Sequence, residues 1–372
     1  MTMTTMTTMT MKAVPFYQHG PASVLQYQDF AEPVPKADSV IIDVEYCGVN
    51  HLDIWTRMGI AGKKIRLPHI CGCDIVGTVR STGSSNKKAG LEKGERVMVY
   101  PGVSCGRCAR CRAGEENKCS QFAIIGGMSD HDGGYAERVA VPAANVIRLG
   151  KSKIIDSKAA ATLAVSYLTA WNMLLQQQAG PAEKRRRRKK SLLVYGAGSG
   201  VGMATIQLAK AMGTFSTIIT TAAGSDKSAF GKKLGAHHVI NRSETPDIAG
   251  EVARITGGEG VDLVIDHVGA ATWQTSISSL KIGGRMAVCG MTSGNEAVVP
   301  VRTFYSKQLT MAGALMGSKK QLIELVRFVQ AKRIKPVIDS VLPLAQARQA
   351  HERMEQGLHA GKILLDCRTT RY

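Results

Sequence analysis

The chain has 372 residues, enough for two or three domains at about 100–200 residues each. Hydrophobic residues make up 44% and charged residues 21%, which excludes a largely disordered chain, and no apolar run approaches the ~20 residues that span a bilayer. Lys and Arg number 48 against 29 acids, a net charge of +19, so a polyanionic partner has to be weighed.

Residues 1–10 are a polar Met/Thr repeat without the basic and apolar regions of a secretory signal. They are expected to form a disordered tail, with Met11 an alternative start and the cytoplasm the expected location. From residue 11, short β segments alternate with Gly/Pro turns: Met11–Phe16, Val40–Tyr46, Ile75–Val79, Arg96–Tyr100 and Tyr135–Val141. Between the last two lie Cys105, Cys108, Cys111 and Cys119, spaced C-x2-C-x2-C-x7-C. Four thiolates within one short stretch can close a tetrahedral shell around zinc and leave no open position, so the site is structural. Arg107, Arg110, Arg112 and Lys118 are expected to ease the gathering of thiolates. An iron–sulfur cluster is the alternative occupant; a cytoplasmic location disfavours disulfides.

Asp156–Gln178 reads as a helix. It is followed by Lys184–Lys190, seven consecutive basic residues. A solvated turn is the plain reading of that run and a nucleic-acid or targeting segment the other. Lying at the N-terminal end of the next strand, it is a poor place for an active-site group. From Leu192 strand and helix alternate: Leu192–Tyr195, Val201–Met212, Ser216–Thr220, Lys227–Leu234, His238–Ile240, Ile248–Ile255, Val261–Asp266, Thr272–Leu280 and Arg285–Cys289. That rhythm implies an α/β domain with a doubly wound parallel sheet. Strand Leu309–Gly313, helices Lys320–Ala331 and Leu344–Gln356, and strand Lys362–Leu365 complete the chain.

The loop holding Gly196, Gly198, Ser199, Gly200, Val201 and Gly202 follows an apolar strand and opens a helix. This is where a dinucleotide pyrophosphate rests on backbone N–H groups, although the strict G-x-G-x-x-G spacing is missed. The second strand ends in Thr and Ala where NAD would meet an acid; Ser225 and Lys227 suit the 2′-phosphate of NADP(H), while Asp226 keeps NAD open. Ser225 as an ordinary helix N-cap is compatible with either.

These motifs, together with Gly48–Asp53, Leu67–Asp74, Gly94–Val97, Gly133–Glu137 and Asp266–Gly269, resemble the zinc-containing alcohol dehydrogenase, or medium-chain dehydrogenase/reductase, superfamily over about residues 11–366. The resemblance implies a GroES-like β-rich catalytic domain (residues 11–155 and 305–372, with the zinc lobe at about 100–125) and a Rossmann NADP-binding domain (156–304). The active site is then expected in the cleft between the two domains, in a homodimer or homotetramer. Members with catalytic zinc carry Cys, His and Glu where this chain has Asn50, Cys73 and Asp74, and a third ligand near Val165, where none is found. The chain therefore looks like the quinone oxidoreductase and enoyl reductase branch. Such members use NADPH to reduce activated C=C bonds or quinones, and some act on unsaturated thioesters such as acryloyl-CoA.

On that reading Asn50 donates to the substrate carbonyl, and His51 and Asp53 form a proton path, unless they are only structural parts of a helix start. Gly269, Gly290 and Thr292 seat the nicotinamide half. Trp55 and Trp171 wall the pocket or pack the core. Two alternatives stay open. One is an alcohol or aldehyde dehydrogenase with a non-standard catalytic zinc from Cys73, Asp74, His51, Cys47 or Cys71. The other is a non-enzymatic nucleic-acid-binding or structural protein that kept the fold.

Overall fold

The structure, a computed structural model, describes residues 9–60, 62–84, 90–150, 155–176 and 190–368. Residues 1–8 of the expected tail and 184–189 of the basic run lie outside them. Thr10 already pairs with Ala31, so the first strand starts one residue before Met11. The chain divides into two compact units, one of Met1–Val165, Ser318–Ile323 and Ile338–Tyr372, the other of Ser166–Gly317 and Glu324–Val337.

The first unit is built on antiparallel strands: β1 (Ser39–Gly48), β2 (Asp74–Thr82), β3 (Arg96–Val99), β4 (Arg138–Pro142) and β5 (Val146–Arg148). β1 is ten residues long and rich in Val and Ile. Along one edge it pairs with β2, from Val40 opposite Thr82 to Gly48 opposite Asp74; on the other, its first half pairs with β4. Val40, Ile42, Val44, Ile75, Val97, Val99, Val139 and Val141 form one buried cluster. Each contributes about 1.5–3 kcal/mol of burial. β1 runs directly into helix α1 (His51–Met58), which stops at Gly59, a residue at φ +82°. The turn into β2 is held beside the start of α1 by Asp53, whose Oδ1 accepts the Gly72 N–H at 3.2 Å.

The second unit alternates β6 (Lys190–Val194), α2 (Gly200–Met212), β7 (Phe215–Ala222), α3 (Gly224–Leu234), β8 (His238–Asn241), α4 (Ile248–Ile255), β9 (Val261–Asp266), α5 (Trp273–Ser279), β10 (Leu280–Val288) and β11 (Thr310–Gly313). Every pairing is parallel, in the order β8-β7-β6-β9-β10-β11. Strand order reverses at β6, the switch point where such sheets bind ligands. Leu192, Leu193, Val194, Val264 and Ile265 are buried without alternation, as expected of a sheet covered on both faces. The doubly wound sheet read from sequence is thus present. Its last strand, β11, lies past residue 304, where the sequence reading ended this domain, because it continues the parallel ladder from β10.

The chain then returns to the first unit as β12 (Ile338–Pro343), α6 (Ala347–Glu355) and β13 (Lys362–Asp366). β13 takes the remaining edge of β1 at Tyr46–Gly48, and β12 lies parallel to β13. The helix expected over 156–178 is interrupted: Ser157–Ala160 and Leu168–Gln176 are α-helical, and Leu163–Tyr167 is a π-turn. Its Val165 N–H leaves the helical ladder and donates to Asp74 Oδ1 at 2.8 Å.

Candidate functional site

At the switch point the glycine loop turns from β6 into α2. Gly196 sits at φ +63°, and Ser199 caps α2, its Oγ accepting the Gly202 N–H at 2.9 Å. A Cβ on Gly202 would lie 2.2 Å from the Gly196 carbonyl oxygen, so no larger residue fits there. Gly198, Gly200 and Val201 complete the turn at the helix N-terminus, where backbone N–H groups and the macrodipole favour an anion. The loop is braced from β7, with Thr221 Oγ1 accepting from the Gly196 N–H at 3.0 Å. His267, which the sequence reading passed over, stands against it. Its Nε2 is 2.9 Å from the Tyr195 carbonyl oxygen and 3.1 Å from Ser199 Oγ. A carbonyl only accepts, so Nε2 carries the proton, and burial lowers the ring's basicity and keeps it neutral.

Ser225 and Lys227 occupy the first turn of α3. The cap of that helix is Ala223, not Ser225, and Asn241 Oδ1 accepts the Gly224 N–H at 3.0 Å. Arg242, also missed from sequence, is exposed. Its N–H donates to the Ala222 carbonyl at 2.9 Å, setting it beside the β7–α3 turn. Asp266 shapes the exit of β9 by accepting from the N–H groups of Val268 (2.9 Å) and Gly269 (3.1 Å). Gly269 and Gly290 adopt φ +96° and +85°, and Thr292 Oγ1 donates to the Val268 carbonyl at 3.3 Å. These turns stand at the carboxyl ends of β9 and β10. Trp171 packs on Phe328 with ring centroids 4.9 Å apart, a core role.

In the first unit the thiols of Cys105, Cys108, Cys111 and Cys119 lie within 4.8 Å of one another. Cys108 and Cys111 are 3.5 Å apart, and Cys119 and Cys105 3.6 Å. Tetrahedral zinc with Zn–S near 2.3 Å sets sulfurs roughly 3.8 Å apart, so the cluster fits. The N–H groups of Arg107 and Cys108 lower the Cys105 thiol to about 6. Arg110 and Lys118 pair with Glu115, at 2.8 and 2.7 Å, and so are partly spent on that carboxylate.

The start of α1 is a dense polar core. Asp53 is fully buried; its Oδ2 accepts from the Asn50 N–H at 2.8 Å and from Tyr135 Oη at 3.0 Å. Burial raises its carboxyl to about 7. The Asn50 amide donates to Asp74 Oδ2 (2.9 Å) and to the Gly48 carbonyl (3.2 Å), while its Oδ1 accepts from Lys362 Nζ (2.7 Å). Reaching a substrate carbonyl would cost Asn50 one of these donations. Lys362, 2% exposed and unread in the sequence, also bonds Asp74 Oδ2 at 2.9 Å and the Val49 carbonyl at 3.0 Å. His51, half-buried, lies with its ring 6.3 Å from Trp55 and 6.4 Å from His359.

The donor set here does not fit a catalytic zinc. Asp74 Oδ1 is taken by Val165 and Oδ2 by Asn50 and an ammonium. Among the described residues, the converging group of three or more metal-ligating side chains is the cysteine lobe.

Comparison with known proteins agrees with this anatomy. Residues 36–151 match the alcohol dehydrogenase GroES-like domain and residues 200–331 the zinc-binding dehydrogenase family. An NAD-dependent alcohol dehydrogenase of Sulfolobus acidocaldarius is 30% identical over 365 residues, covering 95% of this chain and 99% of the relative. The human quinone oxidoreductase is 29% identical over 363 residues, covering 95% and 97%. A crystal structure of an NAD-dependent alcohol dehydrogenase superposes with a TM-score of 0.86 at 38% identity, covering 96% of this chain and 99% of that one. A glycine cradle at a sheet switch point, a four-cysteine lobe and this full-length similarity have one reading: the chain is an oxidoreductase belonging to the zinc-containing alcohol dehydrogenase, or medium-chain dehydrogenase/reductase, superfamily.

Proposed function

We propose that this oxidoreductase uses NADPH to deliver hydride to an activated C=C bond or a quinone, an unsaturated acyl-CoA such as acryloyl-CoA being one candidate. The observation that carries the reading is the Lys362–Asp74–Asn50 network, which commits the position where zinc-dependent members hold their metal. Without a Lewis acid the developing alkoxide of a simple alcohol goes unstabilised. A conjugated acceptor spreads that charge over its own carbonyl. The bound dinucleotide supplies the hydride. The loop from Gly196 to Gly202 binds its pyrophosphate, and Ser225, Lys227 and Arg242 hold the 2′-phosphate. Gly269, Gly290 and Thr292 leave room for the nicotinamide half. After hydride reaches the β-carbon, a proton from solvent completes the α-carbon, with His51 on that path. Asn50 and Asp53 act as scaffold for the substrate side. The cysteine lobe holds one structural zinc. The chain assembles as a homodimer or homotetramer, a reading supported by β11, bonded along one edge among the described residues, and by Val301 and Tyr305 nearby, 69% and 67% exposed.

A second reading, an alcohol or aldehyde dehydrogenase with an unusual zinc site, has in its favour the name of the archaeal relative. The test is NADPH and NADH oxidation against acryloyl-CoA, crotonyl-CoA, a quinone and simple aldehydes, with metal content measured on the same preparation. About one zinc per chain and turnover of the conjugated acceptors is the expected result. Two metals per chain with aldehydes as the sole substrates would establish the second reading.

A further inference from the structure

Four buried side chains from three separate parts of the first unit form one hydrogen-bonded line that the hydride-transfer scheme does not use. Asp53 and Arg57 come from α1, Tyr135 from the segment before β4, and His351 from α6; each is 0% exposed. Tyr135 Oη lies 3.0 Å from Asp53 Oδ2, His351 Nε2 lies 3.1 Å from Tyr135 Oη, and Arg57 Nη1 lies 3.3 Å from His351 Nδ1. The other Arg57 terminal nitrogen pairs with Glu355.

The line has one polarity. A guanidinium donates and never accepts, so His351 Nδ1 must be the acceptor. His351 is then neutral with its proton on Nε2, in keeping with burial, Arg57 and His51 lowering it to about 3. That proton faces Tyr135 Oη, which leaves the Tyr135 hydroxyl hydrogen for Asp53. Asp53 also receives the Asn50 N–H at Oδ2, and the Gly72 N–H (3.2 Å) and the Cys73 thiol (3.6 Å) at Oδ1. The other titratable or charged groups acting on this core are Cys47 from β1, Cys71 before β2, Asp74 from β2, Asp132, Lys362 from β13, Cys367 just after it, His51 from α1 and Glu355 from α6. A proton on Asp53 has no acceptor that is not already facing a donor, unless the thiol of Cys73 turns away.

We propose that Arg57, acting through His351 and Tyr135, is a positioning device that makes Asp53 an obligate hydrogen-bond acceptor. It thereby fixes the two backbone segments Asn50 and Gly72–Asp74 and sets the acid limit of turnover. The link to turnover rests on the hydride-transfer reading; the polarity of the line does not. Since burial holds the Asp53 carboxyl near 7, acidification protonates it, displaces a donor and loosens both segments, so activity falls as pH decreases.

The experiment uses the full chain. Histidine 15N shifts report the His351 tautomer, isotope-edited infrared spectra follow the Asp53 carboxyl, and kcat/KM is measured from pH 5 to 8 with NADPH and the acceptor panel. Wild type is expected to show the Nε2–H tautomer. Tyr135→Phe and His351→Leu are expected to move the Asp53 titration and the acid limb upward together by about one pH unit, a tenfold change in the ionised fraction at a given low pH. His351→Gln, which can donate from nitrogen and accept at oxygen in the same sense, is expected to return both to the wild-type position. An Nδ1–H tautomer, an Asp53 titration unmoved by Tyr135→Phe, or identical behaviour of His351→Leu and His351→Gln would overturn the proposal. If His351→Leu fails to fold, the wild-type tautomer and Tyr135→Phe still decide it. A carboxyl shift without turnover of any acceptor would uphold the line and sink the hydride-transfer reading. A carboxyl shift with an unmoved acid limb would sink the link to turnover.

Discussion

At residue scale, Lys362 combines a charge with near-complete burial. An ammonium in that position is tolerable because it meets the Asp74 carboxylate, the Asn50 amide oxygen and the Val49 carbonyl at once. Removing one partner leaves the other charge buried and unpaired. Lys362→Met is therefore expected to lose about 3–5 kcal/mol of folding stability in urea denaturation. The double variant Lys362→Met/Asp74→Leu is expected to lose less, because no orphan charge remains. In sequence, Lys362 is one lysine opening an apolar strand, with nothing to distinguish it from a solvent-facing residue. Its role depends on β13 taking the free half of the β1 edge, a contact between residues more than 300 positions apart. Asn50 and Asp53 were legible as a helix start because their partners are local. Their links to Asp74, Tyr135 and Lys362 were not, since those cross the sheet.

At the scale of elements, the glycine loop was readable despite its irregular spacing, because an apolar strand precedes it and a helix follows. The close approach of Gly202 to the Gly196 carbonyl shows why that position in particular has no side chain. The end of the nucleotide cradle to which we assign the 2′-phosphate was only half readable. Ser225 and Lys227 follow β7 directly in sequence, whereas Arg242 arrives from β8 by parallel pairing of Ala222 with Asn241. Arg242→Ala and Ser225→Ala are each expected to raise the KM for NADPH about tenfold, the loss of one charge-assisted contact, with kcat and the KM for NADH little changed. Steady-state kinetics with both cofactors checks this, and equal losses for NADPH and NADH would contradict it. The broken helix at Leu163–Tyr167 was not readable. Its composition favours a continuous helix, and the acceptor that draws off the Val165 N–H sits on β2.

At the scale of the whole molecule, the two architectures and the four-cysteine lobe were legible because each rests on short-range spacing or on a repeating strand–helix period. No helix among the described residues is long and apolar enough to cross a membrane. The lobe is a loop-rich excursion whose thiols, three of them half-buried, have little apolar packing to hold them together. A metal held there would act as a cross-link, and its removal would be felt by the fold more than by the chemistry. Cys108→Ser is expected to eliminate the bound zinc and lower the melting temperature by several degrees. The KM for NADPH is expected to stay close to wild type, because the lobe and the nucleotide cradle are built by different units. Metal analysis and calorimetry on one sample check both statements.

The π-turn at Val165 and the ammonium of Lys362 also set terms for protein engineers. Installing ligands at positions 50, 73 and 165 would bring a dication next to a lysine that already neutralises Asp74, and replacing Asn50 would take away one acceptor of that lysine. A retrofit to metal-dependent alcohol chemistry thus requires discharging residue 362 as well, and grafts that omit that fourth change should come out of purification without the added ion.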